Sequence, residues 1–194
     1  MSTSAEEMQG NPQLDAWLDK KLDELLPKKL EEIDAAKTPS MAIIATKGTL
    51  DWAYPPFILA STASALGYET EIFFTFYGLQ LLKKDLDLKV TPLGNPGMPM
   101  PMGMDKWFPT LLTALPGMEG MMTSMMKKKM ASKGVASLEE LRELCQEAEV
   151  RLIACQMTVD LFDMDPSAFI DGIEYAGAAR FFEFAGESDI CLYI

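Results

Sequence analysis

The chain has 194 residues, enough for one domain with a sizeable core plus an appendage. A formal charge of −12 repels phosphate backbones and argues against a nucleic-acid partner, and the absence of histidine removes the usual near-neutral base and the commonest metal ligand. Three cysteines, Cys145, Cys155 and Cys191, are odd in number and lack metal-ligand spacing, which argues against a disulfide framework and a zinc site.

The first ten or so residues are polar and carry no basic region followed by an apolar one, so no signal peptide is expected. From Pro12 to Lys37, Leu14, Trp17, Leu18, Leu22, Leu25, Leu26, Leu30 and Ile33 recur at helical spacing, with Pro27 expected to break or kink the run. After Thr38-Pro-Ser40, Met41–Ala45 is a continuous apolar strand of the type buried on both faces. Asp51 is expected to cap a helix whose first turn tolerates Pro55 and Pro56 and which ends at Gly67. Glu71–Phe76 reads as a second strand, Gly78–Lys84 as a short helix and Leu88–Leu93 as a third strand. No stretch is long and apolar enough to span a membrane, and the protein is expected to be cytoplasmic.

The segment Gly94–Met104 is too rich in proline for regular structure, whereas Met118–Met130 fits a helix with one methionine face and a cationic end. Residues 98–132 thus form a Met/Pro-rich insert, read either as a lid over the protein's own core or as a docking surface, with peripheral membrane contact as one use. Ser137-Leu-Glu-Glu140 is a capping box opening a helix to Ala148. Leu152–Ala154 is an apolar strand ending on Cys155, and the small and polar residues after it open another helix. Asp165-Pro166 starts a helix, Ala178–Ala185 forms another stopped by Gly186, and Ile190–Ile194 closes the chain as a strand. Alternating strands and helices predict a single doubly wound, mainly parallel α/β sheet over 41–194, preceded by an N-terminal helical extension over 1–40.

For chemistry, exclusion helps. The phosphate-cradling Gly-x-Gly-x-x-Gly and Gly-x-x-x-x-Gly-Lys-Ser/Thr patterns are missing, so no nucleotide cofactor is implied, and Asp163 and Asp165 read as a turn and a cap. A histidine-assisted nucleophile is impossible without a partner's residue. Cysteine remains. Cys191, inside a terminal strand, and Cys145, on a helix between Leu144 and Ala148, read as small buried apolar residues. Cys155 falls on a strand-to-helix turn at the carboxyl end of a buried strand, where ligands and chemistry gather in open α/β sheets, and its sulfur is expected to be reachable from outside and partly ionised.

Three segments, Met41–Pro56, Glu71–Leu79 and Ala154-Cys-Gln-Met-Thr-Val-Asp160, resemble the DsrE/DsrF/TusD-like sulfurtransferase family, in particular its longer branch with a Met/Pro-rich insert. Asp171-Gly-Ile-Glu174 and Ser188–Ile194 resemble it as well, so the likeness runs from about residue 41 to 194. Some members of that branch carry membrane segments, and this chain departs from them. The resemblance implies a compact, often oligomeric carrier that holds sulfane sulfur as a cysteine persulfide, here on Cys155, and passes it to partner proteins. Rhodanese-like or TusA-like donors and acceptors are the partners it implies, and Cys145 is a weaker candidate for a second functional thiol. Free thiols ionise near pH 8.5 and a helix end adds only about 0.3–1 kcal/mol, so a nearby cation is expected, with Lys47 the candidate. The alternative reading is a non-catalytic docking protein that uses the methionine insert and the N-terminal helices.

Overall fold

The computed structural model describes residues 12–91 and 117–194. The chain divides into two units, 1–38 and 39–194. In the first, α1 (Pro12–Ala36) runs through Pro27 as one helix rather than breaking there, and none of its residues is buried. The Gly94–Met104 segment, and with it the first part of the 98–132 insert, lies outside the described residues.

The second unit is built on β1 (Ser40–Ala45), β2 (Glu69–Phe74), β3 (Arg151–Cys155), β4 (Glu174–Ala176) and β5 (Ile190–Tyr193). All four pairings are parallel, in the order β4-β3-β2-β1-β5, so the expected α/β sheet is present and wholly parallel among the described residues. Alternation along each strand sorts its side chains onto two faces. Met41, Ile43, Ala45, Ile72, Phe74, Leu152 and Ala154 enter the larger core, covered by α2 (Leu50–Ala65), α3 (Met118–Ser132) and α4 (Leu138–Glu147). Ala42, Phe73, Ile153 and Cys155 face the other way, against Phe181 of the eight-residue α6 (Ala178–Ala185).

Several local expectations need correction. Residues 88–91 are not a strand; Leu88 and Val90 are buried instead beneath α3, with the Lys89 carbonyl accepting from Leu50 N at 2.8 Å and Val90 N donating to Thr123 Oγ1 at 3.1 Å. The third strand in sequence is β3, while β4 is a three-residue strand that sequence reading left out. The N-cap of α2 is Thr49, not Asp51; Asp51 lies within the helix and accepts from Thr91 N at 3.1 Å and Thr91 Oγ1 at 2.8 Å. Pro55 and Pro56 therefore sit in the second turn. The segment at Asp165-Pro166 is a 3-10 turn of three residues, with Asp165 accepting from Ser167 N at 2.8 Å. The capping box at Ser137 is present, with Ser137 N donating to Glu140 Oε2 at 2.7 Å and Glu140 N to Ser137 Oγ at 3.2 Å.

In α3, Met122 is buried and Met126 and Met130 pack against the same core, a spacing of four residues that keeps them on one helix face. Met121 and Met125 look outward. The described part of the insert thus covers the protein's own core with one methionine row.

At the carboxyl ends of β1 and β2 two glycines permit a close fit. A Cβ on Gly78 would stand 2.1 Å from the Ala45 carbonyl oxygen, and one on Gly48 would stand 2.2 Å from that of Tyr77. Gly78 N also donates to Thr46 O at 3.0 Å, which locks the 3-10 helix after β2 (Phe76–Leu82) onto the end of β1.

The second face carries a charge in its interior. Glu71 on β2 is fully buried, with Arg180 Nη1 of α6 at 3.5 Å and Arg151 Nε of β3 at 3.6 Å from its Oε2. Those are ion-pair distances, yet neither carboxylate oxygen has a hydrogen-bond partner among the described residues. Burial pushes the Glu71 carboxyl up; the two arginines oppose that and Glu174 adds to it. Arg180 also reaches Glu174 at 3.1 Å and Arg151 reaches Glu69 at 2.5 Å, so each arginine keeps a second carboxylate.

Three substitutions test this packing. Gly78→Ala should destabilise the unit by about 1–3 kcal/mol, because the obstacle is backbone rather than a flexible side chain; chemical denaturation measures it. Removing Arg180 leaves Glu71 with one cation, and Arg180→Ala should lower stability by about 2 kcal/mol, discounted from a fully buried pair because the arginine is partly solvated. Glu71→Gln should be neutral or stabilising at pH 7. The raised folded-state pKa means that the native state holds the proton more tightly than the unfolded chain, so wild-type stability falls as pH rises from the ordinary value of 4.5 through the folded one. The stability difference between Glu71→Gln and wild type should therefore grow over that window and then level off, as followed by thermal melts at stepped pH.

Candidate functional site

Cys155 closes β3 and occupies the N-cap position of α5 (Gln156–Leu161), with an extended backbone at φ −65°, ψ 107°. The strand ends here because Gln156, Met157 and Thr158 turn into the helix, and the thiol makes no capping hydrogen bond. In register it lies beside Ala176 of β4. Its neighbours in the minor core are Phe73, Ile153 and Phe181, where Phe73 and Phe181 rings meet at a centroid distance of 5.1 Å. The residue is 4% exposed. Its place at the end of β3 is the one expected from sequence, but it is buried in the minor core that Phe181 of α6 shares, so its sulfur is not reachable from outside as expected.

The loops around it are tied together. Thr158, fully buried, shares a hydrogen bond with Thr75 Oγ1 at 3.1 Å and accepts from Phe76 N at 3.4 Å, joining α5 to the turn after β2. Gln156 Nε2 donates to Asp160 Oδ1 at 2.7 Å across one turn. With only six residues, α5 has few aligned peptide dipoles, so the electrostatic help that a helix end would lend a sulfur anion is small.

The other candidates are placed elsewhere. Lys47 follows β1, with its ammonium 3.0 Å from the centre of the Trp52 ring, and β2 stands between β1 and the strand of Cys155. Two strand spacings separate those strands, about 10 Å. Cys145 is fully buried on α4, where its thiol donates to the Phe57 carbonyl at 3.5 Å. Burial pushes this thiol up to about 12, against a smaller opposing effect from the Ser61 backbone, so it stays protonated and unreactive near neutrality. Cys191 corrects the sequence reading in the other direction: it is exposed, on the edge strand β5. It shares the α6 face with Cys155, but β2 and β1 lie between their strands, too far for the two sulfurs to bond.

Sequence reading missed the Glu71–Arg151–Arg180–Glu174 cluster. The signal was a lone acid inside the apolar run Thr70–Phe74, which a parallel strand buried on both faces does not take without a cation. Arg151 and Cys155 alternate onto the same face of β3, four residues apart and about 13 Å along the strand. The arginines therefore serve Glu71 and hold α6 down rather than neighbouring the sulfur. A cavity of about 280 Å³, lined by Leu50, Tyr54, Leu88, Lys127, Met130 and Leu138, lies on the opposite side of the sheet. Among the described residues no group of His, Cys, Asp or Glu could hold a metal ion, and no helix is long and apolar enough to cross a membrane.

Comparison with known proteins places this arrangement. The model of the DsrE/DsrF/DrsH-like family matches residues 37–193. A protein of Allochromatium vinosum named sulfur carrier protein DsrE2 is 83% identical over 154 residues, covering 79% of this chain and 97% of that one. The uncharacterized protein YrkE of Bacillus subtilis is 34% identical over 161 residues, 81% of this chain and 98% of its own. Among solved structures, the ychN protein from E. coli superposes with a TM-score of 0.50 at 11% identity, over 80% of this chain and 99% of that one, a likeness of fold. The parallel sheet and the extent of these matches agree: this chain belongs to the DsrE/DsrF/DrsH-like family.

Proposed function

We propose that the protein is a sulfur carrier that holds sulfane sulfur as a persulfide on Cys155 and passes it to a cysteine of a partner protein. The observation that carries the reading is the 83% identity, across nearly all of its length, to a protein named as a sulfur carrier. Cys155 is the residue because Cys145 is locked in the core as a protonated thiol and Cys191 lies on an edge strand away from the sheet crest. Loading needs no outside oxidant. The Cys155 thiolate attacks the outer sulfur of a donor persulfide, the donor's S–S bond breaks, and the donor leaves as a thiolate while Cys155 becomes Cys–S–SH. Discharge repeats this with the acceptor cysteine as nucleophile and Cys155 as leaving thiolate.

Burial of Cys155 supports the reading in one respect. A persulfide open to solvent loses its sulfur to any small thiol, and a sulfur beneath Phe181 meets few of them. Sulfur-delivering and sulfur-accepting proteins, of rhodanese-like or TusA-like kind, are the partners. Self-association is part of the same proposal, because the α6 face leaves Phe182 and Tyr193 largely exposed.

Incubation with a low-molecular-weight persulfide followed by intact-protein mass spectrometry tests the site. In a Cys191→Ser background, the chain should gain the mass of one sulfur, Cys155→Ser should lower that gain by at least about tenfold, and Cys145→Ser should leave it unchanged. Labelling that survives Cys155→Ser but vanishes with Cys145→Ser moves the site, and no labelling in any of them removes the carrier reading.

A further inference from the structure

We propose that an exposed aromatic and methionine rim beside Cys155, formed by Phe76, Tyr77, Met157, Leu161 and Phe162, is the docking surface for a cysteine-bearing partner segment that is basic as well as apolar. This inference rests on the carrier reading and specifies what its partner looks like.

Five large apolar side chains stand out of the same end of the sheet. Tyr77, Met157 and Leu161 are 65%, 63% and 61% exposed, and Phe76 and Phe162 more than 40%. They come from the 3-10 helix after β2 and from α5 with its C-cap Phe162; the two elements are joined through Thr158, three residues past Cys155. Tyr77 stacks on Phe162 at 6.0 Å and 18°, and Phe76 meets the same ring edge-on at 6.4 Å. The three rings thus form one continuous surface rather than scattered exposed residues, which a monomeric protein tolerates singly but seldom as a patch.

The backbone holds the rim in a position that folding alone does not ask for. Phe76 has φ +48°, a conformation that favours glycine and is unusual for an aromatic residue. Its amide and Thr75 are pinned to the buried Thr158, so the turn is braced where its ring projects outward. Strain of this kind at a surface aromatic is a mark of binding sites. Rigid aromatic side chains are also the residue type that carries energy at interfaces.

Charge selects the occupant. Asp160 and Asp163 are exposed on and just after α5, next to Leu161 and Phe162, and Asp165 follows. A hydrogen bond from the Ser167 amide, reinforced by its hydroxyl, holds the Asp165 carboxyl below the usual range, so it is charged at neutral pH. Lys84 lies near Asp165, but Asp160 and Asp163 remain. Two copies of this chain, each carrying −12, would bring like charges together if they met through this rim. A segment with lysines or arginines around an apolar residue and a reactive cysteine complements it on both counts.

Two synthetic cysteine peptides test this, one flanking Cys with Leu and Lys, the other with Leu and Glu, alongside free cysteine as a small thiol. The protein is the full chain carrying Cys191→Ser. Sulfur discharge from the loaded protein to the Leu/Lys peptide should exceed that to the Leu/Glu peptide by about tenfold, and the gap should narrow at high salt. Tyr77→Ser with Phe162→Ser should lower discharge to the Leu/Lys peptide by about tenfold and leave discharge to free cysteine unchanged. Anisotropy of a dye-labelled Leu/Lys peptide on the unloaded protein reads docking even if no sulfur loads, so failure of the carrier reading is seen separately. Equal binding of both peptides, or binding that ignores the double substitution, overturns the proposal. A change of oligomeric state on substituting Tyr77 and Phe162, seen by sedimentation, would assign the rim to contacts between copies and overturn it as well.

Discussion

One short helix closes the second face of the sheet, and the state of Cys155 depends on it. Among the described residues, the larger face is covered by three helices. The other face has α6, whose only buried side chain is Phe181, packed on Phe73 in the cluster that also holds Cys155 and Ile153. Burial of one phenylalanine contributes about 1.5–3 kcal/mol, so the hold on α6 is shared with the arginines gathered at Glu71. Arg151 adds to it from the sheet side, with its guanidinium 4.6 Å from the centre of the Phe184 ring. The same helix that seals the sulfur is thus tied by a charge cluster about four residues down the strand. A buried carboxylate without hydrogen bonds is a poor structural choice on its own account; here it supplies the counter-charge that brings Arg180 of α6 onto the sheet.

Where sequence and structure agree, the reason is local. Met41–Ala45 and Leu152–Ala154 are apolar runs with no other place to go, and the capping box at Ser137 is complete within four residues. The position of Cys155 at a strand end was legible for the same reason. Its burial was not, because the covering side chain, Phe181, belongs to a helix after β4, and β4 itself is too short and too polar to announce a strand. Leu88 and Val90 show the converse. Their alternation imitates a strand, yet the burial that it signals is supplied by α3, and their backbone groups bond to Leu50 and Thr123. Cys191 and Lys47 turn on strand order, which periodicity does not encode: the first falls on an edge, the second two strands from the sulfur.

The placement of cations bears on how a thiol here is activated. Among the described residues, the arginines on the α6 face are already engaged by Glu69, Glu71 and Glu174. Lys47 is held over Trp52, a contact that lowers its freedom to swing across β2. With α5 so short, the sheet end offers little intrinsic positive potential. A basic partner segment brought to the acidic rim would supply positive charge from outside, at the moment when Cys155 must leave as a thiolate. On the proposed reading, the leaving group is therefore stabilised by the acceptor itself.

Access follows the same logic. A cysteine that is 4% exposed must be uncovered to react, and the free energy of opening sets the fraction of time that it is open. Lifting α6 would cost the burial of Phe181, about 1.5–3 kcal/mol, and the ion pairs of Arg180, about 2 kcal/mol, which leaves well under 1% of molecules open. Such a population reduces random loss to small thiols by the same factor, since they gain nothing from the open form. A partner that binds the rim and prefers the open form shifts the balance by its differential affinity, and only such a partner does. On the proposed reading, cover and rim act together: the cover slows every thiol alike, and the rim restores the rate for those that carry the matching surface.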